Sequence, residues 1–270
     1  RCEASFNLAC AEYGMKHYCR SAELFATLDD KSGTARRIIR IDRRDLGLLP
    51  MGAGSPPQRP YAAVLGCADA RVPIELIFNE GPNDLFVVRV AGNTLGEDVR
   101  GSLKYALEHL GESLKLIVVL GHSGCGAVTA AVDVFLDPSG YLSLSSKHSI
   151  RSLVDRLQVV VQASAKKMHA VFGPDIARHP NYRECLIELS VVMNAALAAH
   201  TLQREIGAEA ADDVLTAYGV YLLSERSVWA PRCGGDEVVG LAAPPENLQG
   251  FVAFGDAVFR SERIARMLAR

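Results

Sequence analysis

Four short apolar runs, residues 61–66, 85–90, 116–121 and 214–220, alternate with longer stretches of helical spacing, and this alternation constrains the chain most. The runs are rich in Val and Leu and carry almost no charge, as strands buried on both faces do. Residues 101–110, 127–136, 149–172 and 181–205 supply the helical periodicity between and after them. Strand alternating with helix implies an α/β fold with a central parallel sheet flanked by helices. The run 189–202 is uncharged and apolar on nearly every side, so its helix belongs in the core or in a subunit interface. Residues 47–60 hold three Gly and four Pro and read as a loop ahead of the core. The organisation expected is a helical N-terminal arm over 1–46, a catalytic core over 47–225 and a C-terminal extension over 226–270, with one catalytic domain overall.

Composition removes several classes of function. Lys and Arg total 29 against 31 Asp and Glu, so no basic surplus points to nucleic acid. The longest stretch without a charged residue, 116–132, is broken by Gly-His-Ser-Gly-Cys-Gly and is not read as a membrane span. Seven scattered cysteines do not make a disulfide scaffold and suit a reducing compartment. The chain begins at Arg1 rather than Met, so the cytoplasm and an organelle interior reached with a removed targeting peptide both fit.

Two clusters carry the chemistry, each directly after an expected strand, where open parallel sheets present ligand-binding residues. In the first, Cys67, Asp69 and Arg71 alternate; in the second, His122 and Cys125 stand three apart in a glycine-rich turn. His122 and Cys125 can reach one zinc ion from a turn entering a helix, and Cys67 can add a third ligand. The helix starting near Cys125 would set its positive N-terminus beside the sulfur and favour the thiolate. Three ligands leave a fourth position for water, the arrangement of a catalytic zinc. Asp69 then either orients that water or ligates the metal itself. Arg71 decides between these, because a guanidinium gripping the carboxylate keeps it off the ion. Two thiolates offset the charge of Zn²⁺, so water there should be less acidic than in a three-histidine site, and activity should rise toward alkaline pH. A nucleophile elbow is a poor match because Cys125 stands where the last glycine belongs. The stretch 92–96 lacks the spacing of a dinucleotide loop.

C-x-D-x-R followed some fifty residues later by H-x-x-C resembles the β-class carbonic anhydrases. The resemblance runs through QRPYAAVLGCADARVP (58–73), DLFVVRVAGN (84–93), SLKY (102–105) and GHSGCG (121–126), with AYGVY (217–221) a looser echo. It implies one zinc per chain on Cys67, His122 and Cys125, an Asp69/Arg71 dyad, and reversible hydration of carbon dioxide to bicarbonate and a proton by zinc-bound hydroxide. It also implies a substrate pocket at a homodimer interface, with Gln58, Phe86, Tyr105 and the backbone of Gly126 at the matching positions and the partner supplying some of them. An even oligomer and an N-terminal arm embracing the partner follow from the same resemblance. The bicarbonate-inhibited members carry Trp three residues before the first ligand cysteine. Val64 stands there in this chain, which implies an open site without that pocket. Two alternatives share the motifs: hydrolysis of carbonyl sulfide or carbon disulfide, and a non-catalytic scaffold around a structural zinc.

Overall fold

A computed structural model describes residues 57–144, 148–209, 214–231 and 237–269. The expected arm over 1–46 and most of the loop after it lie outside the described residues. Strands β1 (Ala62–Gly66), β2 (Leu85–Arg89), β3 (Leu116–His122) and β4 (Leu215–Leu222) form where the apolar runs predict them, within two residues. They pair in parallel in the order β2-β1-β3-β4. The chain leaves β1 toward β2 on one side and places β3 on the other, so the switch point of the sheet lies between β1 and β3. In open sheets of this kind ligands bind outside the carboxyl ends of the strands at that point.

Alternation along β1 and β3 feeds two cores. Ala63, Leu65, Ile117 and Val119 face one side, and Val64, Val118 and Leu120 face the other. The first side is the thicker. It is covered by α3 (Gly126–Leu136), α5 (His148–Phe172) and α6 (Tyr182–Glu209). The second side carries the short α1 (Ile74–Phe78), while α2 (Glu97–Leu110) packs by β2 and α4 (Ser139–Leu144) links α3 to α5. Helix α2 starts at Glu97 rather than at Gly101, with extended Gly96 at its N-cap and Glu97 and Asp98 complementing the positive end of its first turn. Length and composition would let α6 cross a membrane, yet 72% of its apolar window is buried inside the protein. The structure thus places the uncharged run 189–202 in the core.

Residues beyond 225 continue the same sheet, so the boundary drawn at 225/226 falls in the turn between two paired strands. Strand β5 (Ser227–Pro231) pairs antiparallel with β4, and β6 (Glu237–Val239) pairs antiparallel with β5. Among the described residues the sheet therefore has six strands, and the expectation of a parallel sheet holds for its first four. Helices α7 (Leu248–Phe259) and α8 (Glu262–Leu268) then return to the main core, burying Phe254, Val258, Phe259 and Ile264. Both have side-chain caps: Asn247 accepts from the Gly250 N–H and Ser261 from the Ile264 N–H.

Candidate metal centre

Cys67 follows the last residue of β1, His122 ends β3, and Cys125 caps the N-terminus of α3. These three residues thus flank the switch point from both sides. Their ligand atoms lie within 4.8 Å of one another and all three side chains are buried. The two sulfurs are 3.9 Å apart. A tetrahedral zinc with Zn–S bonds of about 2.3 Å sets its sulfurs about 3.8 Å apart, so this pair is spaced for one ion.

The histidine supplies a stricter test of fit. His122 Nδ1 lies 3.1 Å from the Ser123 carbonyl oxygen. A carbonyl only accepts, so Nδ1 carries the proton and Nε2 presents a lone pair. That Nε2 is buried and has no hydrogen-bond partner. A buried imidazole nitrogen without a partner is costly in a structural role and is what a metal ligand requires. The donor set of two thiols and one imidazole suits zinc.

The surroundings favour negative charge on sulfur. The Cys67 thiol is pushed down chiefly by the hydrogen bond from Cys125, which outweighs burial, with backbone donors adding to it. One of those donors is the Gly92 N–H, 3.3 Å from Cys67 Sγ. Cys125 is pushed up by sharing its proton with Cys67 and by burial, against the pull of the Val128 and Ala127 N–H groups at the start of α3. A divalent cation bound here would supply the field that displaces the proton the two sulfurs share.

Asp69 is already occupied. Its Oδ1 accepts from Arg71 Nε at 2.9 Å and from the Arg71 backbone N–H at 2.9 Å, and its Oδ2 accepts from Arg71 Nη2 at 2.7 Å. This two-pronged grip holds the carboxyl well below the usual carboxylate range. Oδ2 still lies 3.8 Å from His122 Nε2, at the edge of the ligand set.

The pocket residues implied by the resemblance divide. Gly126 opens α3 directly after Cys125. Phe86 pairs in register with Ala63, near the start of β1, and four residues of strand put it roughly 13 Å along the sheet from the level of Cys67. Gln58 precedes β1 and lines a groove with Arg59, Glu108 and His109. Tyr105 is 49% exposed and stacks on the His109 ring at 4.3 Å. Gln58 and Tyr105 therefore gather around His109, and a single chain does not bring them or Phe86 to the metal ligands.

Arg89 and Asn194 are among the supporting residues that the sequence did not single out. Arg89 ends β2 and donates from Nε to the Cys67 carbonyl at 3.0 Å and from Nη2 to the Asp69 carbonyl at 2.6 Å, clamping the first ligand loop. Its place at a strand's carboxyl end was a usable signal. Asn194 on α6 donates to the Gly92 carbonyl at 2.9 Å and so anchors the residue whose own N–H serves Cys67. A polar residue inside the apolar run 189–202 was its only sequence sign.

A carbonic anhydrase family profile matches residues 62–221. Carbonic anhydrase 2 of Mycobacterium tuberculosis (strain H37Rv) is 45% identical over 103 residues, which cover 37% of this chain and 45% of that protein. The chain thus aligns with less than half the length of that relative. The carbonic anhydrase of Mycolicibacterium smegmatis is 37% identical over 148 residues, 53% of this chain and 67% of that one. Among solved structures, the β-carbonic anhydrase CcaA superposes with a TM-score of 0.52 over 89% of this chain and 92% of its own, at 20% identity, a likeness of fold. With the profile spanning more than half the chain and the Cys67, His122 and Cys125 set in place, the chain belongs to the β-class carbonic anhydrase family.

Proposed function

We propose that this chain catalyses the reversible hydration of carbon dioxide to bicarbonate and a proton, with zinc held by Cys67, His122 and Cys125. The observation that carries the reading is a buried three-ligand set beside a carboxylate whose lone pairs Arg71 has largely claimed. Zinc bound there supplies Lewis acidity, making water nucleophilic near neutral pH. The residues of the chain do the rest. Cys67 and Cys125 bring negative charge, and His122 is held in one tautomer by the Ser123 carbonyl. Asp69, kept aside by Arg71, remains an acceptor through Oδ2 and orients a water molecule in the gap next to His122. The first N–H groups of α3, beginning with Gly126, face a developing anion as helix N-termini do. The proton departs to solvent or buffer.

The same reading takes two chains. β2 is one of the two edge strands of the described sheet, and all five of its residues are at least partly exposed. Parallel strands are ordinarily covered on both faces. A second copy packed on the β2 and α2 edge would cover it and deliver Gln58, Phe86 and Tyr105 to the metal centre of its partner.

The experiment is carbon dioxide hydration by zinc-loaded and zinc-stripped protein, run beside carbonyl sulfide hydrolysis. Zinc-dependent hydration is expected. Turnover of carbonyl sulfide far above that of carbon dioxide would replace the substrate, and zinc binding without either activity would leave a scaffold.

A further inference from the structure

The C-terminal helix reaches the metal centre through one chain of charged contacts. The turn holding His122 and Cys125 is fastened at three points. The Ser123 N–H donates to the Tyr221 carbonyl at 2.9 Å, and Ser123 Oγ accepts from the Leu223 N–H at 3.0 Å, both at the end of β4. The third point is Gly124, whose N–H donates to Glu188 Oε1 at 3.1 Å. Gly124 stands between the two ligands and has φ of 62°, in the left-handed region, so its peptide orientation governs where both side chains point.

Glu188 does not hold that position alone. Its other oxygen, Oε2, accepts from Arg263 Nη2 at 3.2 Å, while Arg263 Nη1 donates to Glu225 at 2.8 Å. The guanidinium also sits over the Trp229 ring, 6.0 Å from its centre. Both partners of the Arg263–Glu188 pair are mostly buried, at 21% and 13% side-chain exposure. A pair so shielded is directional and weakly screened. Glu225, in the turn after β4, ties the same guanidinium to the strand that fastens Ser123.

We propose that Arg263 is a positioning residue for the metal centre: by orienting Glu188 it fixes the Gly124 peptide and with it the geometry of His122 and Cys125. The inference rests on the reading of those residues as zinc ligands and assigns the C-terminal segment a part in metal binding. It requires no contact between Arg263 and substrate.

The test uses the full chain loaded with zinc for affinity, by competition with a chelator, and with cobalt for its visible absorption bands, which report ligand geometry. Arg263→Ala is expected to weaken zinc binding about tenfold, the lower end of the loss seen when an outer partner of a metal ligand is removed, and to shift the cobalt bands. Arg263→Lys keeps the charge without the fork and should fall between wild type and Arg263→Ala. Glu188→Gln preserves size and an acceptor for Gly124, and it reports on the same link if Arg263→Ala does not fold. The double variant should lose no more affinity than the worse single one, since both act on one peptide. Wild-type zinc affinity and cobalt bands in folded Arg263→Ala would overturn the proposal, whatever its melting temperature, and so would losses that multiply in the double variant. Metal affinity and cobalt bands are read without carbon dioxide. A wild-type protein that binds metal but hydrates nothing would therefore overturn the proposed activity and leave this test standing.

Discussion

Asp69 shows how far single residues decide the chemistry. Arg71 fills both of its oxygens from the solvent side, being itself 61% exposed, and a pair this open adds little stability. Its consequence is orientation: the carboxylate faces the ligand set and cannot swing freely onto it. Asp69→Asn is expected to retain zinc and to lose carbon dioxide hydration by tenfold or more, measured as metal content and rate on one sample; unchanged activity would remove the carboxylate from the mechanism. The sign of the pH effect follows. Because the folded carboxyl titrates below its unfolded value, whatever stability Asp69 adds is present above about pH 4 and is lost as pH falls toward the folded value. Asp69 thus stays charged from pH 5 to 9 and is not the group that titrates there. Cys67, Asp69, Arg71, His122 and Cys125 were legible because each is chemically distinctive and follows an apolar run. Arg89, Glu188 and Arg263 were not, since charged residues are common and only the folded chain shows their partners.

Among the elements, α6 organises the site. Val191 and Ala195 press on Gly121, where an added Cβ would come within 3.3 Å and 3.5 Å of them. Glu188 and Asn194 serve the two ligand loops from the same helix. Asn194→Ala leaves the buried Gly92 carbonyl without its donor, which should cost about 1–3 kcal/mol in denaturant unfolding and weaken metal binding by loosening the Gly92 N–H on Cys67. A stability change under about 0.5 kcal/mol, the level of a neutral surface substitution, would contradict this. The four parallel strands were readable as Val- and Leu-rich runs between polar stretches. β5 and α7 were not, because Pro244, Pro245 and the glycines near 234 read as a loop-rich tail. The Asn247 cap and the Val228-Trp229-Ala230 run were their faint signals. What makes them regular is lodging in the shared core, a tertiary effect that local pattern does not carry.

On the scale of the whole molecule, the sheet order brings Cys67 and His122, 55 positions apart, to neighbouring strand ends. The same order leaves Gln58, Phe86 and Tyr105 on another part of the surface. A two-chain site makes a specific demand. Chains carrying Cys67→Ser lack metal, and chains carrying Gln58→Ala with Tyr105→Ala lack the pocket. Mixing the two after dissociation should restore hydration above either alone, because one site in each mixed pair is intact; no gain on mixing would place the pocket within one chain. The proposed activity rests on an open metal centre whose neighbouring carboxylate is held aside. Stopped-flow carbon dioxide hydration by zinc-saturated protein, scanned from about pH 7 to about pH 9, tests it most directly. Hydration is expected at every pH, rising toward the alkaline end and lost when zinc is removed. Activity confined to the alkaline end would mean that Asp69 escapes Arg71 and closes the site, and no activity at one zinc per chain would rule out carbon dioxide hydration at this centre.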